Sequence, residues 1–182
     1  MKNQSVKNLA LSAMFLALGM VLPFLTGQIP QIGKMMLPMH IPVMLCGLIC
    51  GWKYGAAVGF VTPLLRSVTF GTPFFYPNAL VMAFELMTYG IVTGVLYGRS
   101  KWKCIRALYK SLLLAMIAGR VVKALVQLVL IGVGYTEYTL QGYMMGAFIN
   151  ALPGILIQLI VIPAVMVALN RTGLVFWSRN KE

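Results

Sequence analysis

Six apolar stretches lie within the 182 residues of this chain, and they constrain its fold more than any other feature. Charged residues make up only 10% of the sequence, whereas soluble domains carry roughly 25%. Each stretch is a candidate membrane helix, which needs about 20 apolar residues to cross a bilayer. We therefore predict an all-α integral membrane bundle of six transmembrane helices that forms a single domain over residues 1–182. The predicted spans are Leu9–Leu25, Met35–Gly51, Tyr54–Leu65, Ala79–Tyr97, Ser111–Tyr135 and Tyr143–Leu169.

The second and third spans are short and are interrupted by prolines, namely Pro38, Pro42 and Pro63. Broken membrane helices are tolerated where the freed backbone groups are buried in protein or line a cavity. The first span lacks the small-residue cleavage site of a signal peptide, so it is predicted to be a mature helix.

The net charge of +12 is unevenly distributed along the chain. Of the fifteen basic residues, eleven fall on one side of the six-span topology, which is the positive-inside pattern. These eleven are Lys2, Lys7, Lys53, Arg99, Lys101, Lys103, Arg106, Lys110, Arg171, Arg179 and Lys181. The pattern predicts that both termini are cytoplasmic and that the basic face contacts the lipid bilayer and cytoplasmic partners rather than nucleic acid.

One acidic and two basic residues fall inside the predicted spans. Arg120, Lys123 and Gln127 share one face of the fifth helix, with spacings of three and four. At a rise of about 1.5 Å per residue, Glu85 in the fourth helix lies at a depth comparable to that of Lys123 or Gln127. Intramembrane charges are costly and usually face a cavity or one another, so these residues form a candidate functional site.

Two interpretations of these charges remain open. Glu85 can pair with Arg120 or Lys123 and orient two helices. Even then one cation is left, and a buried cation needs a partner, which an anionic ligand would supply. We therefore predict that at least one of the two cations contacts a ligand.

Other polar residues surround the same region. Asn78 and Asn150 can form hydrogen bonds with donor and acceptor groups of a ligand, although side-chain amides equally often form hydrogen bonds between membrane helices. His40 is a candidate wall residue, and Arg66 either attracts an anion or extends to lipid headgroups. The predicted substrate-binding residues are thus Arg120, Lys123, Glu85, Asn78, Asn150, Gln127, His40 and Arg66, with Phe74, Phe75 and Tyr76 covering the site.

The sequence lacks the motifs of several other function classes. It contains no GxxxxGK[ST] loop, so it cannot hydrolyse ATP by that route. A single histidine and three cysteines without a CxxC motif favour neither a metal site nor a disulfide framework. With no Ser–His–Asp set or carboxylate pair, we expect no enzyme activity and no cofactor.

Small residues recur at helix-packing spacing in two places. Gly47, Gly51, Gly55 and Gly59 predict close packing of the second and third helices. In the first helix, Ala10, Ala13 and Ala17 lie on neighbouring faces, and Ala13 and Ala17 form an AxxxA motif that is a candidate docking surface.

Together these features resemble the substrate-binding S components of energy-coupling factor (ECF) transporters, particularly the riboflavin- and pantothenate-type group. The most specific part is Leu37–Ser67, LPMHIPVMLCGLICGWKYGAAVGFVTPLLRS, where an I-P pair precedes a G-x3-G turn and an apolar helix. The riboflavin type tends to have an acidic residue before I-P, whereas this chain has Met39 and His40. That departure argues against riboflavin as the ligand.

The resemblance implies a subunit of a bacterial cell membrane that binds a small water-soluble vitamin or vitamin precursor from outside. It would then associate with a transmembrane scaffold protein and two ATPases, contacting the scaffold through Ala13 and Ala17, and topple to release its cargo. The alternative is a self-sufficient secondary transporter or channel for a small organic anion, with Glu85 as the coupling group. The lack of an evident internal repeat argues against that alternative.

Overall fold

The computed structural model describes residues 2–26, 38–100, 104–132 and 152–171, which contain six α-helices and no strand. The helices are α1 (Lys2–Val21), α2 (His40–Cys50), α3 (Trp52–Phe70), α4 (Leu80–Arg99), α5 (Ile105–Gly132) and α6 (Leu152–Arg171). A 3₁₀ turn, Leu22–Thr26, follows α1, and a π-helical turn, Phe75–Ala79, precedes α4. The predicted all-helical fold class is confirmed.

Four segments are long and apolar enough to cross a membrane, which supports a multi-pass membrane protein. They are Gln4–Phe24, Phe75–Arg99, Ile105–Gly132 and Leu152–Asn170. The helix α2 is apolar but has only 11 residues, and α3 carries Lys53 and Arg66 within its 19 residues. Six complete spans and the cytoplasmic position of both termini stay predictions.

The predicted third span, Tyr54–Leu65, ended too early. The helix α3 continues through Pro63 and reaches Phe70, since one missing backbone donor does not end a helix that is packed on both sides of it. It ends at Gly71, whose φ of 66° favours glycine and whose N–H donates to the Ser67 carbonyl at 2.9 Å. Arg66 therefore lies inside α3 and not in an outer loop.

Glycines set the close approach of the central helices. Gly51, with φ 94°, joins α2 to α3. A Cβ atom at Gly55 would lie 2.6 Å from the Gly47 Cα, and one at Gly59 would lie 2.5 Å from the Leu86 carbonyl oxygen. The predicted packing of the second and third helices is confirmed, and the same glycine run also holds α3 against α4.

The helix α4 lies at the centre of the described bundle, because it packs against α2, α3 and α5. Its residues Leu86 and Tyr89 are fully buried, as are Met44 of α2 and Leu112 of α5. Polar side chains on the inner faces of α4 are consequently enclosed by protein, and this is what positions the site.

Candidate functional site

Glu85 is the buried charge around which the site is built. It lies in the second turn of α4, is 1% exposed, and is the only acidic side chain in residues 2–26, 38–100, 104–132 and 152–171. Its Oε2 atom is 2.9 Å from the Nζ atom of Lys123 on α5, whose side chain is 22% exposed. The prediction that Glu85 and Lys123 lie at similar depths is thus confirmed, because the two side chains form a direct ion pair.

Tyr89 completes the environment of the carboxylate on the same helix. Its hydroxyl donates to Glu85 Oε1 at 3.0 Å, and its ring is buried one turn after Glu85. Residues four apart share a helix face, so the spacing of Glu85 and Tyr89 was a usable signal that our sequence interpretation missed. The hydrogen bond fixes the carboxylate in one orientation toward Lys123.

His40 approaches the same carboxylate from α2. It is buried, its Nε2 atom lies 3.8 Å from Glu85 Oε1, and its ring centroid is 5.2 Å from that of Tyr89. Neither ring nitrogen has a hydrogen-bond partner among the described residues. Buried polar atoms normally find partners, so this imidazole is suited to bond a ligand or a water molecule.

Arg120 and Gln127 flank Lys123 along α5. Arg120 is half-buried, and its charge acts on both Glu85 and His40. The Oε1 atom of Gln127 is buried and accepts no hydrogen bond from any described residue. We call His40, Glu85, Tyr89, Arg120 and Lys123 the charged cluster. With a neutral imidazole it carries one negative and two positive charges, which suits the binding of an anion.

Arg66 lies apart from these residues. It is buried and donates from Nη1 to the Met20 carbonyl at 2.6 Å. Its guanidinium lies 5.2 Å from the Phe24 ring and 5.4 Å from the Phe70 ring, within reach of cation–π attraction. Arg66 thus joins the ends of α1 and α3, and the interpretation that it extends to lipid headgroups is wrong because its side chain is enclosed.

Most of the remaining predicted residues lie in or next to the π-helical turn that precedes α4. Asn78 is exposed in the π-helical turn, and Asn150 lies outside the described residues. Phe74, Phe75 and Tyr76 are each more than half exposed. Gln158 of α6 is buried, and its Nε2 atom donates to none of the described residues.

The predicted docking face of α1 is uncovered in the described part of the chain. Ala10, Ala13 and Ala17 are all exposed. The opposite face of the same helix carries Ser12 and Phe15, which are buried against the bundle. The helix therefore has an inner face that packs and an outer face with small side chains.

Metal binding finds no support in the described ranges, where no group of three or more His, Cys, Asp or Glu side chains comes together. Cys46 and Cys50 are buried with free thiols, as expected for packing residues.

Apolar helices around an interior ion pair define a polytopic membrane protein with a polar internal site. The substrate-specific component family of ECF transporters matches residues 7–169, and since this is most of the chain, the protein belongs to that family. Members of the family are substrate-binding components of transporters and not enzymes. No curated protein and no solved structure shows a significant match.

Proposed function

We propose that this chain is the substrate-specificity subunit of an ECF-type importer of the bacterial plasma membrane. Its cargo would be a small, water-soluble, anionic vitamin or vitamin precursor that is bound from outside. Family membership supports the transport role, and the presence of two cations, Arg120 and Lys123, in the charged cluster supports an anionic cargo.

The observation that carries the proposal is the Glu85–Lys123 pair, 2.9 Å apart inside a mostly apolar bundle. Buried ion pairs add little net stability over well-packed apolar residues of similar volume. Ionisable groups at membrane depth are therefore retained mainly for function. Arg120 on the same helix brings a second cation to this region, and His40 brings two ring nitrogens that form no hydrogen bond with the described residues, although Nε2 lies 3.8 Å from Glu85.

Each residue has a proposed role. Lys123 and Arg120 would neutralise a carboxylate of the cargo, because charge-assisted hydrogen bonds from cations are the strongest available. Glu85 and Tyr89 would hold Lys123 in place before the cargo arrives. His40 and Gln127 would contact neutral polar atoms of the cargo, as would Asn78 and Asn150.

The finer assignments belong to the same proposal. The segment Leu37–Ser67 supports membership of the riboflavin- and pantothenate-type group, and pantothenate is one suitable ligand because it bears a carboxylate. The chain would cross the membrane six times with both termini in the cytoplasm. The exposed alanines of α1, namely Ala10, Ala13 and Ala17, would contact a scaffold protein that is coupled to two ATPases.

Reconstituted transport tests this function. Proteoliposomes would contain either the chain alone or the chain with an ECF scaffold and its two ATPases. Two labelled substrates would be offered. One is pantothenate, and the other is whatever small molecule co-purifies with the protein and is released when the protein is denatured. We expect accumulation only in the complete system and only with ATP. Accumulation by the chain alone would contradict the proposal and favour a self-sufficient secondary transporter.

A further inference from the structure

A groove of about 470 Å³ lies between the end of α4 and the beginning of α5, far from the charged cluster. We call it the α4–α5 groove. Basic and apolar side chains share its lining. The lining includes the cations Arg99, Arg106 and Lys110 and the apolar residue Leu114.

The positive charge of this groove is not neutralised by the described part of the chain. Arg99, Arg106 and Lys110 are all exposed. Glu85 is the sole acidic side chain among the described residues. It lies fourteen positions before Arg99, which is about 20 Å along the axis of α4. Two of the cations, Arg106 and Lys110, are four residues apart and share one face of α5. The groove therefore presents paired cations to an anion from outside the protein.

The groove also lies where two candidate membrane spans meet. By length and composition, one span ends at Arg99, and the next begins at Ile105. A bilayer crossed by both spans would place these cations near its lipid headgroups and the apolar side chains beyond them near its acyl chains.

An apolar stripe continues from the cations along the same face of α5. It consists of Leu113, Leu114, Ile117 and Val121, and each side chain is about half exposed. These positions follow Lys110 at helical spacings of three, four, seven and eleven, so cations and apolar residues form one continuous surface. A ligand with an anionic end and a long apolar tail would cover all of it.

We propose that the α4–α5 groove binds an anionic phospholipid. Its phosphate would contact Arg99, Arg106 and Lys110, and one acyl chain would lie along the stripe from Leu114 to Val121. A free phosphate would leave the apolar stripe unused. An acidic protein surface would leave it uncovered too, because the stripe runs into the bilayer.

Lipid titration of the full-length protein tests this site. Protein in neutral detergent would be titrated with dioleoyl-phosphatidylglycerol or dioleoyl-phosphatidylcholine, and bound lipid would be counted by native mass spectrometry. We expect wild type to prefer phosphatidylglycerol. The variant R106Q/K110Q should lose about thirtyfold in affinity for it, since two cations near the headgroup are removed.

The matched control is K7Q/K53Q, which removes two other exposed cations outside the groove. It should change phosphatidylglycerol affinity less than about threefold, by weaker long-range attraction. Equal losses in both variants would overturn the proposal, because the attraction would then belong to the whole basic face.

Two further experiments distinguish a lipid from a soluble phosphate compound and from a protein partner. Excess glycerol 1-phosphate should leave lipid binding unchanged, and effective competition by it would show a site for soluble phosphates instead. If R106Q/K110Q kept lipid binding but lost assembly with the ATPases, the groove would be a protein contact and the lipid proposal would be wrong.

Discussion

At the scale of single residues, the Glu85 carboxyl group is almost completely buried, and Lys123 and Tyr89 are its ionic and hydrogen-bonding partners. Removing only one partner of such a pair leaves an isolated charge in a medium of low polarity. Removing both partners of the pair leaves neither of these two charges behind. This contrast separates a stabilising role of the pair from a ligand-binding role.

The first prediction is a double-mutant cycle on this pair. Glu85→Gln and Lys123→Met should each lower the free energy of unfolding by about 3–5 kcal/mol, because one charge remains buried and unpaired. The double variant should recover much of that loss. Thermal unfolding in detergent measures the stability of each variant. Equilibrium binding of the small molecule that co-purifies with the wild-type protein measures cargo affinity.

The same cycle has a functional readout. The double variant should be folded and yet bind the cargo at least tenfold more weakly than wild type, since Lys123 no longer meets its anionic group. Wild-type affinity in a stable double variant would restrict the pair to a structural role.

Sequence alone predicted part of this residue-level arrangement. Counting helical rise placed Glu85 and Lys123 at comparable depths, and they form a pair. The approach of His40 to Glu85 was not predictable, because it depends on how α2 packs beside α4, which local spacing does not encode. The burial of Arg66 likewise depends on Phe24 and on the Met20 carbonyl, which are distant from α3 in sequence.

At the scale of helices, backbone contact through glycine sets the spacing of α3 and α4. Gly59 faces the Leu86 carbonyl directly, and Gly90 of α4 faces the backbone of Gly55. The small-residue spacing in the sequence predicted that close packing would occur. It could not indicate that α4 is a second partner of the glycine run, because the facing residues on α4 are set by the tertiary fold.

The second prediction follows from that contact. Gly59→Ala should destabilise the protein by about 1–3 kcal/mol, because the added methyl group would displace one helix from the other. Gly98→Ala is the matched control, since its Cβ atom would meet nothing within 4 Å. Thermal unfolding of both variants in the same detergent is the measurement, and equal midpoints would contradict backbone contact at Gly59.

At the scale of the whole molecule, two surfaces are predicted to serve different partners. The charged cluster is proposed to bind the cargo, and the outer face of α1 is proposed to contact a scaffold protein. The exposure of Ala10, Ala13 and Ala17 leaves that face available for contact. Composition and the length of the apolar stretches were sufficient to predict the all-helical membrane class, whereas a contact with a second protein is not encoded in either.

The third prediction tests this separation. Ala13→Trp should reduce assembly with the scaffold and ATPases at least tenfold, because a bulky side chain prevents close helix approach. It should leave cargo affinity unchanged. Ala57→Trp, at another exposed alanine on α3, should affect neither property. Co-purification with the scaffold measures assembly, and normal assembly of the Ala13 variant would rule out the α1 face as the contact.

The intact mass of the purified protein shows whether cations inside the bundle hold an anionic cargo. Native mass spectrometry of wild type should show one bound small molecule that fragments as a carboxylic acid or another anion. Arg120→Ala should insert into the membrane and fold but carry no such mass, whereas the control Lys53→Ala should carry it. Retention of the same molecule by the Arg120 variant, or a bound molecule without an anionic group, would contradict the account.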